Sequence, residues 1–330
     1  MQKTLHVHIL KASQTNAIDL LNQKLDPMAA ISYGGSDEIP ADTSILVAGD
    51  PTIEMITALP NLKSLIVPWA GVSPETFEVM RRFPQVSIHN LHHNALPVAE
   101  YALALLLSAA NAIVPVDRAL RANDWRPRYT HTASTLISEK SILILGFGSI
   151  GKALSNLLAG FNMHIMATRS SVNFPVNEGR VQIFPSNHLH DLLPKSDFLV
   201  VTLPLTPSTK GLIGEKELSL LPTHAVFVNI GRGDIIDQAA LYKTLKARPT
   251  MAAGIDVWYN YPKNESDRSN TPPSDYPLHE LDNIVLSPHR AGSLNQTDIE
   301  VLRMTHLAEL LNQAAKGNQM PNLVDPEKGY

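Results

Sequence analysis

The apolar run Ser141-Ile142-Leu143-Ile144-Leu145 passes without a break into Gly146-Phe147-Gly148-Ser149-Ile150-Gly151. That turn opens directly onto the helical pattern Lys152-Ala153-Leu154-Ser155-Asn156-Leu157-Leu158. A near-continuous apolar strand followed at once by a helix belongs to a parallel sheet covered on both faces, which commits this part of the chain to an α/β architecture. The sharp turn also aims the helix's free N–H groups and its positive dipole end at one spot, where a pyrophosphate would find its charge compensated. Gly146 suits the tight turn, Gly148 lets backbone approach the phosphates, and Gly151 lets the helix pack against the strand. The alternative for the same residues is an ordinary glycine-containing turn.

Strand-like segments come in two series. Leu5–Leu10, Ala30–Tyr33, Ser44–Ala48, Ser64–Val67 and Val86–His89 alternate with helical stretches and predict a small α/β unit. A helix with Pro97 in its first turn then leads away. The second series runs through Ile142, His164–Ala167, Val181–Phe184, Phe198–Thr202, Ala225–Asn229, Ala252–Asp256 and Ile284–Leu286. The C-terminal helix, roughly Gln296 to Lys316, has no obvious place in the second sheet and is expected to cross back to the first. Residues 1–94 plus 293–330 then form a substrate domain and 95–292 a dinucleotide-binding domain. The stretch Tyr261 to Pro277, rich in Pro, Ser, Asn and Asp, reads as an exposed loop.

Composition removes several function classes. A length of 330 residues suffices for two cores, and a net charge of −4 offers no basic surface for nucleic acid. Cysteine is absent, which excludes disulfides, thiolate metal sites and cysteine nucleophiles and fits a cytoplasmic location. The N-terminal segment lacks the apolar core and cleavage site of a signal peptide, so no export is expected. Ala95 to Val114 is apolar but carries Pro97, Glu100 and Asn111, and it reads as a buried helix rather than a membrane span.

Ligands of open parallel sheets bind outside the carboxyl ends of the strands, and the unusual residues of this chain fall there. Thr168-Arg169-Ser170-Ser171 stands where an NAD site would place an acidic residue for the adenosine ribose, about 20 residues beyond the glycine turn. An arginine cannot accept those hydrogen bonds. Its fork can grip a 2′-phosphate, with Ser170 and Ser171 as further donors, which favours NADP(H) with NAD(H) as the alternative. The plain alternative is a solvated arginine after a strand. Arg232, between Gly231 and Gly233, could hold a carboxylate and polarise a carbonyl, or could serve a structural ion pair. His289, after Ser287-Pro288, could exchange a proton near neutral pH. His89, His92 and His93 lack the helical pairing or carboxylate partners of a metal site, and no metal is expected.

Taken in order, GFGSIG (146–151), TLPLTPSTKGLI (202–213), NIGRGDIID (229–237), AGIDVW (253–258) and LSPHRAG (286–292) resemble the D-isomer-specific 2-hydroxyacid dehydrogenases over nearly the whole chain. The resemblance implies a Rossmann nucleotide domain inserted into a flavodoxin-like substrate domain, a cleft between them, a homodimer, and hydride transfer to C2 of a 2-oxo acid. It makes Arg232 the substrate-binding arginine, His289 the acid/base, and Asp256 a contact of the nicotinamide carboxamide. Trp69-Ala70-Gly71 match the substrate loop, whose backbone N–H groups bind the carboxylate, and Val98 falls near the nicotinamide. Leu203, Pro204, Thr209, Ile230, Gly231, Ala291 and Gly292 complete the implied cofactor set. The family's glutamate partner of the histidine is replaced by Tyr261, just before Pro262. The expectation is an NADPH-dependent reductase of a small 2-oxo acid, glyoxylate or hydroxypyruvate among them. A non-catalytic dinucleotide sensor and a formate-type dehydrogenase are the alternatives.

Overall fold

The computed structural model describes residues 4–10, 15–130, 134–293 and 295–327. The chain divides into two compact units, Met1–Asn94 with Ser293–Tyr330, and Ala95–Gly292.

In the first unit, strands β1 (Leu5–Leu10), β2 (Ala29–Gly34), β3 (Ile45–Val47), β4 (Ser64–Val67) and β5 (Ser87–Asn90) form a parallel sheet in the order β2-β1-β3-β4-β5. This is the flavodoxin-like order, with its switch point between β1 and β3. Both faces are covered. Val7, Ile9, Val47 and Ile66 pack against Met304, Leu307, Ala308 and Leu311 of the helix Gln296–Ala315. Leu46, Leu65 and Val67 pack with Ile56, Phe77 and Met80 on the other face.

The second unit holds β6 (Ser141–Leu145), β7 (His164–Thr168), β8 (Val176–Glu178), β9 (Val181–Phe184), β10 (Phe198–Val201), β11 (Val226–Asn229), β12 (Ala252–Ile255) and β13 (Ile284–Leu286). Their order is β13-β12-β11-β10-β6-β7-β9-β8, a Rossmann arrangement whose switch point lies between β6 and β10. Strict alternation divides each central strand between two cores. Ile142, Ile144, Val200, Val226 and Val228 face the helices Ala95–Ala110 and Ser149–Leu157. Leu143, Leu145, Leu199, Val201 and Phe227 face Leu218, Leu241 and Leu245. Burial on both sides explains why these strands read as unbroken apolar runs.

Two features depart from the sequence reading. Strand β8 was not expected; it pairs antiparallel with β9 and gives the otherwise parallel sheet a mixed edge. The apolar stretch from Ala95 is two helices, Ala95–Ala110 and Ile113–Arg121, because Ala112 takes a left-handed conformation (φ 49°). The chain bends by 65° there, and no single helix among the described residues is long and apolar enough to cross a membrane.

Candidate active and dinucleotide-binding site

The glycine turn connects β6 to the helix Ser149–Leu157 and is braced by its neighbours. The Thr202 hydroxyl donates to the Gly146 carbonyl (2.6 Å), and the Phe147 N–H donates to the Thr168 carbonyl (2.9 Å). A Cβ at Gly151 would lie 2.6 Å from the Gly146 carbonyl oxygen, so only glycine lets helix and strand approach this closely. A Cβ at Gly148 would meet nothing within 4 Å: the space beside the helix N-terminus is open. This open cradle fits a pyrophosphate. Phe147, Thr168 and Ile230 are buried, so their contribution to such a site comes from backbone. Ser149, Ile150 and Leu203 are half-buried around it. Thr209 holds its own loop, with its hydroxyl donating to the Pro204 carbonyl (2.6 Å) and accepting from the Thr206 N–H (2.8 Å).

Val98 is the residue that the resemblance places near a nicotinamide. It is 5% exposed and lies in the core with Leu105, Leu106 and Ile230, because the apolar face of helix Ala95–Ala110 turns towards the sheet.

Arg169 sits at the end of β7 but is not a free cation. Its Nη1 is 2.9 Å from Glu178 Oε2, and Lys152 Nζ is 2.7 Å from Glu178 Oε1. Both cations hold the Glu178 carboxyl below its usual range. Ser170 and Ser171 are exposed beside it. The sequence reading missed Glu178, although the alternating Val176-Asn177-Glu178 and Val181-Gln182-Ile183 around Gly179-Arg180 carry a hairpin signature.

Arg232 is exposed at the end of β11. Backbone of Leu203 and Trp258 lies against Gly231 and Gly233, leaving no room for a Cβ, and the Asn229 amide donates to the Arg232 carbonyl (2.9 Å). The backbone is thereby fixed on three sides. The guanidinium donates to the Gly231 carbonyl through Nη1 (2.7 Å), and no described carboxylate lies within ion-pair distance of it.

His289 occupies the left-handed region (φ 56°), an unusual conformation for a side chain of this size. Asp256 imposes it. This carboxylate is fully buried, and one oxygen accepts from the Ser287 hydroxyl and the Arg290 N–H (2.7 Å) while the other accepts from the Ala291 N–H (2.8 Å). With so many groups clamped around a single buried anion, the turn has little freedom left. Tyr101 donates to Ser287 Oγ (2.8 Å), and Trp258 Nε1 donates to the Ser287 carbonyl (2.7 Å). Asp256 thus positions the His289 turn. Ser287 and Trp258 lay inside recognised motifs. Tyr101, on a helix with no motif, carried no signal.

Tyr261 reaches His289: its oxygen is 2.9 Å from Nδ1 and accepts from the Trp258 N–H at 3.1 Å. Burial raises the Tyr261 phenol above its ordinary range, so it stays neutral near neutral pH. Burial lowers the His289 imidazole; the Asp256 charge partly opposes this and Arg232 adds to it.

In the first unit, the Asn90 amide donates to the Ala70 carbonyl (2.6 Å) and the Leu91 N–H to the Trp69 carbonyl (3.3 Å). The carbonyls of the Trp69-Ala70-Gly71 loop are thereby tied down. A cavity of about 330 Å³ at the ends of β1, β3 and β4 is lined by Gly49, Asp50, Trp69, Arg303 and Met304. Arg303, within a long helix, had no sequence signal. His89 is satisfied by the Pro321 carbonyl (2.8 Å) and Ser87 Oγ (3.1 Å).

The strand order, the open glycine turn at the switch point and the charged loops at the strand ends define a dinucleotide-binding α/β protein. Residues 103–291 match the model of the D-isomer specific 2-hydroxyacid dehydrogenase NAD binding domain, and the chain belongs to this family. It is 36% identical to a glyoxylate reductase of Korarchaeum cryptofilum over 69% of this chain and 66% of that protein. It is 30% identical to a D-3-phosphoglycerate dehydrogenase of Mycobacterium leprae over 88% of this chain and 52% of that protein. The matches span about half to two thirds of these relatives' own lengths. A D-isomer specific 2-hydroxyacid dehydrogenase from Xanthobacter autotrophicus Py2, solved with NADPH and MES, shares the fold with a TM-score of 0.76, at 24% identity over 99% of this chain and 100% of that one.

Proposed function

We propose that this chain is an NADPH-dependent reductase that converts a small 2-oxo acid to the D-2-hydroxy acid, glyoxylate and hydroxypyruvate being suitable substrates. One observation carries the reading: a histidine held in a strained turn and bonded to a neutral phenol lies at the carboxyl end of the sheet that presents the open glycine turn and Arg232, whose guanidinium has no described carboxylate partner. When bound, NADPH supplies the hydride that C2 receives. Arg232 binds the substrate carboxylate and polarises the ketone. His289 as imidazolium donates Nδ1–H to the Tyr261 oxygen and gives its Nε2 proton to the ketone oxygen. Tyr261 can receive that bond along with the one from Trp258, because a phenol oxygen has two lone pairs to accept with. The Nδ1–H bond to Tyr261 is kept before and after transfer, which leaves the neutral ring as its Nδ1–H tautomer.

Arg169 with Ser170 and Ser171 supports the NADPH preference, and the glyoxylate reductase relatives support a small substrate. Exposed Ile113, Trp125, Tyr129 and Leu136 support a homodimer, since large apolar side chains in one stretch need a cover. The test is oxidation of NADPH and of NADH with a panel of 2-oxo acids. Faster turnover of glyoxylate or hydroxypyruvate with NADPH is expected, and no oxidation of either cofactor with any 2-oxo acid would refute the proposal.

A further inference from the structure

Three charged groups meet at the end of β7. Glu178 bridges Lys152 Nζ at 2.7 Å and Arg169 Nη1 at 2.9 Å. Lys152 directly follows Gly151, and its ammonium stands 6.0 Å from the Phe147 ring of the glycine turn. Glu178 arrives from the sheet edge: β8 folds back along β9 through Gly179-Arg180, with Gly179 at φ 61° and Glu178 opposite Val181. Such a two-residue connection fixes the register, and with it the place of the carboxylate.

The region beyond this strand end is where a dinucleotide bound at the glycine turn puts its adenosine ribose. A 2′-phosphate there would seek the donors that Glu178 now occupies. A phosphate carries roughly −1.5 to −2 charge and three acceptor oxygens, so it is the stronger ligand for an arginine fork and an ammonium. The ion pairs it must displace are partly solvent-exposed and therefore weak, with side-chain exposures of 28%, 42% and 50% for Arg169, Glu178 and Lys152. The displaced carboxylate remains a like-charge neighbour.

We infer that Glu178 is a cofactor-specificity residue, an internal anion that holds Lys152 and Arg169 in place and competes with the 2′-phosphate for them. This rests on the NADPH reading above. Glu178 moderates the preference that Arg169 creates, and it arrives on β8, nine residues further along the chain than Arg169.

The experiment is calorimetric titration of the full chain with adenosine 2′,5′-bisphosphate and with adenosine 5′-monophosphate, which differ only in the 2′-phosphate. Glu178→Gln should bind the bisphosphate about tenfold more tightly, as loss of one like charge a few ångströms from a dianion implies. It should bind the monophosphate within about twofold of the unaltered chain. The gain should shrink as salt is raised. Unchanged or weaker bisphosphate binding overturns the inference, as does weaker monophosphate binding, which would make Glu178 an acceptor for the ribose hydroxyls. Arg169→Gln separates the two levels. If it weakens bisphosphate binding while Glu178→Gln has no effect, the NADPH reading stands and the role of Glu178 falls. If it leaves bisphosphate binding unchanged, the NADPH reading itself fails.

Discussion

Replacing Tyr261 by glutamate tests whether His289 is the acid that the proposed reduction needs. The wild-type partner of Nδ1 is a neutral phenol oxygen at 2.9 Å, so it holds the imidazole without adding charge. Burial leaves the His289 pKa below its ordinary value. The acid is the protonated form, so kcat/KM for a 2-oxo acid should fall as pH rises through that lowered pKa. Oxidation of the hydroxy acid, which needs the neutral base, should persist to correspondingly lower pH. A carboxylate about 4 Å from the ring would favour the imidazolium by about 1 kcal/mol in bulk water and about 4 kcal/mol at the effective dielectric of a protein surface. Tyr261 is 45% exposed, which puts the effect near the lower figure, or about one pKa unit. The reductive limb should therefore move about one unit to higher pH in Tyr261→Glu. The assay pairs the pH profile with proton NMR titration of the His289 ring. If the ring pKa rises and the kinetic limb stays where it was, His289 is not the titrating acid and the mechanism is wrong.

Arg232→Ala should lower kcat/KM for the 2-oxo acid by roughly 10²–10³-fold while dinucleotide affinity stays within about twofold, because the guanidinium has no described carboxylate partner to lose; equal loss of both would make it a structural arginine. Gly148→Ala should leave thermal stability nearly unchanged but weaken dinucleotide binding, since its Cβ would enter open space, whereas Gly151→Ala should destabilise the fold by about 1–3 kcal/mol by pressing on the Gly146 carbonyl. Comparable stability losses in the two variants would contradict that geometry. His93 is 9% exposed, and burial with the nearby Arg303, His306 and His92 lowers its pKa to about 4. Between about pH 4 and the ordinary histidine value the unfolded chain binds the extra proton, so stability should fall on acidification, by up to about 3 kcal/mol from this group. His93→Gln should lose less stability over that range in urea unfolding, and an identical acid dependence would show that His93 is not responsible. Trp125, 60% exposed, should matter to assembly: Trp125→Asp is expected to shift sedimentation towards monomer, and an unchanged sedimentation coefficient would count against that stretch as the homodimer face.

What the sequence determined is what depends on local periodicity and on single strand ends. Near-continuous apolar runs through Ser141–Leu145, Phe198–Val201 and Val226–Asn229 marked strands buried on both faces, because neighbouring residues of a strand necessarily face opposite cores. The glycine turn, Arg232 and His289 were legible for a similar reason: in a parallel sheet the carboxyl end of each strand is a known location. The tertiary structure decided which groups meet. Only the register of the β8–β9 hairpin brings Glu178 onto Arg169, and a sequence reading without that strand leaves the arginine alone. Only packing shows that Asp256 spends its carboxylate on the His289 turn, that Tyr261 rather than a carboxylate reaches the imidazole, and that Val98 points into the core. Each of these contacts joins residues on different elements, and its partner is chosen by where those elements pack, a quantity that no short stretch of sequence encodes.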